Sequence, residues 1–160
     1  METKSQTEVQ ATVMTSEEMS TLLSFVANMT PQWFAGFFDG EGCISSSYYE
    51  KTDQYAVHVS LSQKKPGILA LISLKFPTKL TPCRNKKGHV WYELHWSGRA
   101  VVPILSYMKD CMIAKKKQAE LALEFASLIG IDGTKSCISA SNYIRRKEIH
   151  GEMKRLKEVE

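Results

Sequence analysis

The order of apolar and polar positions divides the chain into helical and extended stretches. Between Pro31 and Gly40, Trp33, Phe34, Ala35, Phe37 and Phe38 make a dense apolar run, broken by Gly36 and Gly40. Residues four apart share a helix face, so the two glycines present one side without side chains, open to a second helix. Thr30 before Pro31 marks the start as an N-cap followed by a first-turn proline. After Gly42 the period falls to two. Residues 43–50 and 54–63 read as a hairpin around Lys51-Thr52-Asp53, with Tyr55, Val57, Val59 and Leu61 alternating with Gln54, His58, Ser60 and Ser62. One face is apolar and the other polar, as in a sheet with one wet side. Pro66 opens a helix whose Ile68, Leu69, Leu71, Ile72 and Leu74 reach a core. A second hairpin follows, 79–86 and 89–97, turning at Lys87-Gly88, with Val90, Tyr92, Leu94 and Trp96 inward.

The flanks are more helical. Residues 1–14 are polar without a period and read as a loose arm, and Thr15-Ser16-Glu17-Glu18 forms a capping box that opens a helix to about Asn28. Ser97 is predicted to cap a helix running to about Met108, kinked at Pro103. Ala114–Ile129 reads as a regular helix closed by Gly130, then a loop at 131–138 leads to a basic helix from about Ser141 to Lys157. The expected architecture is α+β, an αββαββα domain with a four-stranded antiparallel, saddle-shaped sheet and helices on one face. Three segments are expected: an arm and short helix over 1–30, a core over 31–130, and a C-terminal loop and helix over 131–160.

With 43% hydrophobic and 24% charged residues, the 160-residue chain falls among ordinary globular domains. It carries no apolar run of the roughly 20 residues a membrane span needs. No signal peptide is seen, and the four scattered cysteines lack zinc-site spacing, so an intracellular protein with reduced thiols is expected. Charge changes the picture further. Residues 1–30 carry a net −3, which leaves +7 on the remainder and suits a polyanionic partner.

The polar sheet positions give that partner a surface. Ser45, Ser47, Tyr49, Gln54, His58, Ser60, Ser62, Arg84, Lys86, Trp91, Glu93 and His95 are hydrogen-bonding or aromatic rather than the usual solubilising mixture of Lys and Glu. A two-stranded ribbon fits the major groove of double-stranded DNA, where such side chains reach base edges. Arg84 and Lys86 suit guanine or phosphate, and Gln54 suits adenine. At the end of the dense helix stand Asp39 and Glu41, separated by Gly40. Spacing alone fits equally a glycine-terminated helix with solvated acids and a pair of metal-attracting ends.

The stretch FAGFFDGEG, from Phe34 to Gly42, resembles the signature of the LAGLIDADG homing endonucleases, single-motif type. The resemblance covers about residues 30 to 130. It implies a homodimer paired through the signature helix, at Phe34, Ala35, Gly36, Phe38 and Asp39. It also implies that Glu41 and the Gly40 carbonyl bind Mg2+, or another divalent cation such as Mn2+ or Ca2+, with Asp39 capping structure at the helix end. Gln63 resembles the residue that orders active-site water, and Lys115 the family's catalytic lysine. Where relatives place a basic residue four positions after the glutamine this chain has Gly67, so either Lys64 or Lys65 substitutes or the pocket lacks this cation. The implied activity is hydrolysis of both strands of a long pseudo-palindromic DNA site, leaving short 3′ overhangs, by an enzyme of a mobile intron. A chloroplast or mitochondrion is among the compartments this allows. Two alternatives share the fold: a splicing cofactor holding intron RNA, and an inactive DNA-binding regulator.

Overall fold

Thr30 starts the central helix as its sequence predicts: its hydroxyl accepts a hydrogen bond from the Trp33 amide at 3.2 Å, and Pro31 fills the first turn. The computed structural model describes residues 16–129 and 139–159. The expected arm at 1–14, the capping Thr15, Gly130 and the loop at 131–138 lie outside the described residues. The elements run α1 (Ser16–Ala27), α2 (Pro31–Glu41), β1 (Gly42–Tyr49), β2 (Gln54–Gln63), α3 (Gly67–Lys75), β3 (Leu80–Arg84), β4 (Val90–Ser97), α4 (Val101–Met108), α5 (Lys116–Ser127) and α6 (Ala140–Val159).

The four strands form one antiparallel sheet in the order β1-β2-β4-β3. Period-two alternation fixes which side is dry. Ile44, Val57, Val59, Leu61, Leu94 and Trp96 point to the helices and are buried against Phe34, Phe38, Leu69, Ile72, Leu105 and Phe125. Helices thus cover one face, and the other stays open, as expected of the α+β reading.

Several details differ from expectation. Ser97 makes no side-chain cap; a 3-10 turn at Gly98–Ala100 comes first, and α4 begins at Val101. Pro103 is therefore the third residue of α4, where an N–H would have no partner within the helix, so it disrupts nothing there. The second hairpin turns through five residues, not two. Asn85 sets this loop: its side-chain oxygen accepts from the amides of Lys87 and His89, both at 3.0 Å, while Gly88 takes φ +84°.

α6 packs into the same hydrophobic core. Its Ile149 and Met153 are buried with the rest. Arg145 grips Glu124 of α5 with two hydrogen bonds, at 2.6 and 2.9 Å, and also reaches Glu148 and Glu152. The paired-donor geometry gives this ion pair more weight than a single exposed contact has. Arg146 lies over the Phe125 ring and donates to the Leu128 carbonyl at 2.5 Å.

The same burial corrects the expected dimer surface. Phe34, Ala35 and Phe38 are fully buried in their own chain and face the sheet. They cannot meet a partner. The outer side of α2 consists of Gln32, Trp33, Gly36, Phe37 and Gly40. Gly42, by contrast, is demanded by packing: a Cβ there would stand 2.6 Å from ring carbons of the buried Phe38. We expect Gly42→Ala to cost about 1–3 kcal/mol by overpacking. Gly36→Ala meets open space and should stabilise the single chain by up to about 1 kcal/mol through helix propensity. Denaturant titration of both variants distinguishes the two glycines; equal destabilisation would refute this assignment.

Candidate active site

The end of α2 is tied to the start of α5 by one side chain. Asp39 Oδ2 accepts from the amides of Ile113 and Ala114 at 2.7 and 3.1 Å, and Oδ1 accepts from Lys115 at 3.0 Å. α5 has no capping side chain of its own, since its N-cap residue is Lys115. Asp39 thus caps it from a distance of 76 residues. Three consecutive lysines, Lys115, Lys116 and Lys117, oppose the helix dipole at this end, and the Asp39 carboxylate offsets them. The bond is returned: Lys115 Nζ donates to the Asp39 carbonyl. Of the residues expected at the dimer surface, Asp39 is therefore occupied within its own chain.

With Asp39 engaged, Glu41 is the acid left facing outward, exposed on the last turn of α2 beside exposed Gly40. Gln63 ends β2, two residues beyond the Leu61–Gly42 pair, and so lies at the same end of the sheet. It is half-buried, on the helix side of the strand. Glu41, Gln63 and Lys115, far apart in sequence, thus lie toward one end of the fold. Lys64 and Lys65 are exposed in the bend after β2, and Gly67, the first residue of α3, adds no cation.

The open face of the sheet is largely as the alternation predicts. Ser45 faces His58, Tyr49 faces Gln54, Ser60 faces His95 and Ser62 faces Glu93, with Ser47 opposite Ala56 and Trp91 opposite Cys83. Cys43, Thr81, Cys83 and Ser97 share this face and were missed, because small and sulfur-bearing residues fit either side of a strand. Arg84 is a correction. It pairs with Val90, on the helix-side register, and not with Trp91. The expected two-residue turn would have placed it opposite Trp91; the five-residue loop shifts the register by one, which reverses every side chain. Lys86 lies in that loop and not on the face.

At the centre of the face, His58 and His95 stack with centroids 5.2 Å apart. The Tyr49 hydroxyl approaches His58 Nε2 at 3.4 Å, and the buried His58 Nδ1 has no partner among the described residues. Burial, aided by the neighbouring His95, holds His58 below the ordinary histidine range. His150, bonded to Ser46 at 2.8 Å, is depressed in the same way by burial and by Lys154.

This arrangement, a one-sided α+β sheet with a glycine-striped helix ending in acids, defines a class. The sequence model of the LAGLIDADG endonuclease family matches residues 34–124, and the chain belongs to that family. Its family is one of endodeoxyribonucleases. Among solved structures, the homing endonuclease I-CvuI in complex with the I-CreI target is similar, with a TM-score of 0.64 at 20% identity, over 79% of this chain and 80% of that one. The archaeal intron-encoded homing endonuclease I-Vdi141I, complexed with DNA, gives 0.64 at 18% identity, over 79% and 82%. The LAGLIDADG meganuclease I-AabMI, bound to uncleaved DNA, gives 0.62 at 15%, over 78% of this chain and 44% of that one. At these identities the likeness is one of fold. No curated protein matches the sequence.

The depressed histidines give a signed prediction. The folded state binds fewer protons than the unfolded chain just below the ordinary histidine value, so stability is full above about pH 6.5 and falls with acidification through the folded-state values. The thermal midpoint should therefore drop between about pH 7 and about pH 5, and less steeply in His58→Asn. An unchanged slope in that variant would show that His58 does not carry the effect.

Proposed function

We propose that the protein is a homodimeric, site-specific homing endonuclease that uses a divalent cation to hydrolyse both strands of a long pseudo-palindromic DNA site. The observation that carries this reading is the outer side of α2. Two glycines face open space there, beside Trp33 and Phe37, stacked at 5.5 Å and 4°, and the stripe ends in Glu41. Trp33 is 40% exposed. A second copy laid on this stripe would bring two α2 backbones together and set one Glu41 beside the other.

The donor set suits a hard cation. Glu41 offers carboxylate oxygen, Gly40 a main-chain carbonyl, and both lie at the negative end of the α2 dipole. Among the described residues, no three His, Cys, Asp or Glu groups gather as a metal site in one chain, so the partner's carboxylate would complete the set. Magnesium there, or manganese or calcium in its place, would neutralise charge on the phosphoryl oxygens. Gln63 would orient the attacking water. The Lys115 ammonium, held at the Asp39 carbonyl, stands where it can offset charge that develops on the phosphate. The open face would lie in the major groove, with His58, His95, Gln54 and Trp91 toward base edges and Lys64 and Lys65 toward phosphates. Two-fold symmetry then requires half-sites spaced by helical turns, about two turns in all, with cuts that leave short 3′ overhangs.

Selection of cleaved sites from a host-derived DNA library in magnesium tests the reading as a whole. Glu41→Gln should bind the recovered site and cut it at least about 100-fold more slowly; undiminished cutting would remove Glu41 from the centre. Gly36→Glu, a charge set into the stripe, should sediment as a folded monomer without double-strand cleavage. A wild-type protein that cuts both strands as a monomer would overturn the paired arrangement.

A further inference from the structure

A cavity of about 280 Å³ opens beside the end of α2, lined by Gly42, Cys43, Ile44, Lys115, Gln118 and Lys157. Among the described residues, no carboxylate lines it. Two lysines do, Lys115 at the start of α5, whose ammonium is held at the Asp39 carbonyl, and Lys157 at the end of α6, together with Gln118, which is only 4% exposed. Lys157 Nζ lies 3.3 Å from Cys43 Sγ, a residue 114 positions earlier. A thiol is a weak acceptor for an ammonium ion. Arg145 on the same helix has three glutamates, whereas Lys157 has only this sulfur among the described residues. Two lysines beside one small space, with no acid among its described lining residues, make a site for an anion. Its position says which anion. Cys43 follows Gly42 and Glu41 in the chain and opens onto the polar face through its pairing with Ser60. A duplex laid on that face would pass a backbone phosphate over this corner.

We propose that Lys157 binds a DNA phosphate in this cavity together with Lys115, so that the C-terminal helix completes the nuclease centre. The inference rests on the nuclease reading above and adds a phosphate-binding residue that the signature motif does not contain. Phosphate held between two ammonium groups is fixed in position as well as attracted, so Lys157 should affect the cleavage step in addition to binding.

The test uses the full chain, Lys157→Met and Lys157→Arg, with a labelled random-sequence duplex for binding and the library-selected site for single-turnover cleavage. Loss of one phosphate contact should reduce the slope of log affinity against log salt by about 0.9 per chain. Cleavage at saturating protein should slow about 10- to 100-fold in Lys157→Met. Lys157→Arg should restore most of both, and the thermal midpoints of all three proteins should agree, since the side chain is exposed. Unchanged slope and rate in Lys157→Met, with a wild type that cuts, overturn this inference alone. A lowered midpoint that arginine does not rescue would make Lys157 a strut against Cys43 and overturn it too. A wild type that binds no duplex overturns the nuclease reading and this proposal together.

Discussion

The Asp39 carboxylate is the contact on which the rest of the site depends. Three main-chain donors at 2.7 to 3.1 Å converge on it, which fixes the end of α2 against the start of α5. Charge-assisted bonds of this kind are about twice as strong as neutral ones. Without the carboxylate, a helix that starts with three lysines would lack its cap, and Lys115 would have no fixed place. With it, the two acids of the motif take separate roles. Asp39 is turned inward and spent on structure, while Glu41, one residue past the intervening glycine, remains free to face outward.

α2 answers two opposing demands. Its inner side supplies Phe34, Ala35 and Phe38, all fully buried, so it is a core helix. Its outer side carries two glycines, each costing a helix interior about 1 kcal/mol relative to alanine. Nothing in the packing of the described residues requires them, since a Cβ at Gly36 or Gly40 would meet none of their atoms within 4 Å. Gly42 is the opposite case, forced by the Phe38 ring. Glycines that weaken a helix without relieving any internal crowding point to a neighbour outside the chain.

How much could be read in advance follows the range of the interaction. The second strand was legible to the residue, Gln54–Gln63, because period-two alternation is local and the burial it predicts is strong. The motif gave Glu41 as a candidate and the wider resemblance gave Gln63 and Lys115, and all three fall at one end of the fold. The inner and outer sides of α2 were not separable, because apolar residues crowd both and periodicity cannot choose between a core and a partner. Arg84 failed through a single turn: Asn85 folds its side chain back on two amides, lengthens the loop and reverses the strand that precedes it. The resemblance implied that Asp39 caps structure at the helix end, but not that its partners are the amides at the start of α5. The reach of Lys157 to Cys43 had no sequence signal at all, because it is tertiary and both residues look unremarkable in their own neighbourhoods.

The tip of the first hairpin shows what such distant contacts mean for a chain made one residue at a time. Asp53, held at φ +49°, accepts hydrogen bonds from Tyr48 at 2.9 Å and from Tyr143 at 2.6 Å, and Ser46 is bonded to His150. The strands that form the polar face leave the ribosome well before the residues of α6 that clamp their outer end and line the corner beside Glu41. During synthesis the face exists as a hairpin without its brace. The polar face therefore gains its clamp only after α6 has been made, so the order of manufacture itself delays the braced form of the sheet.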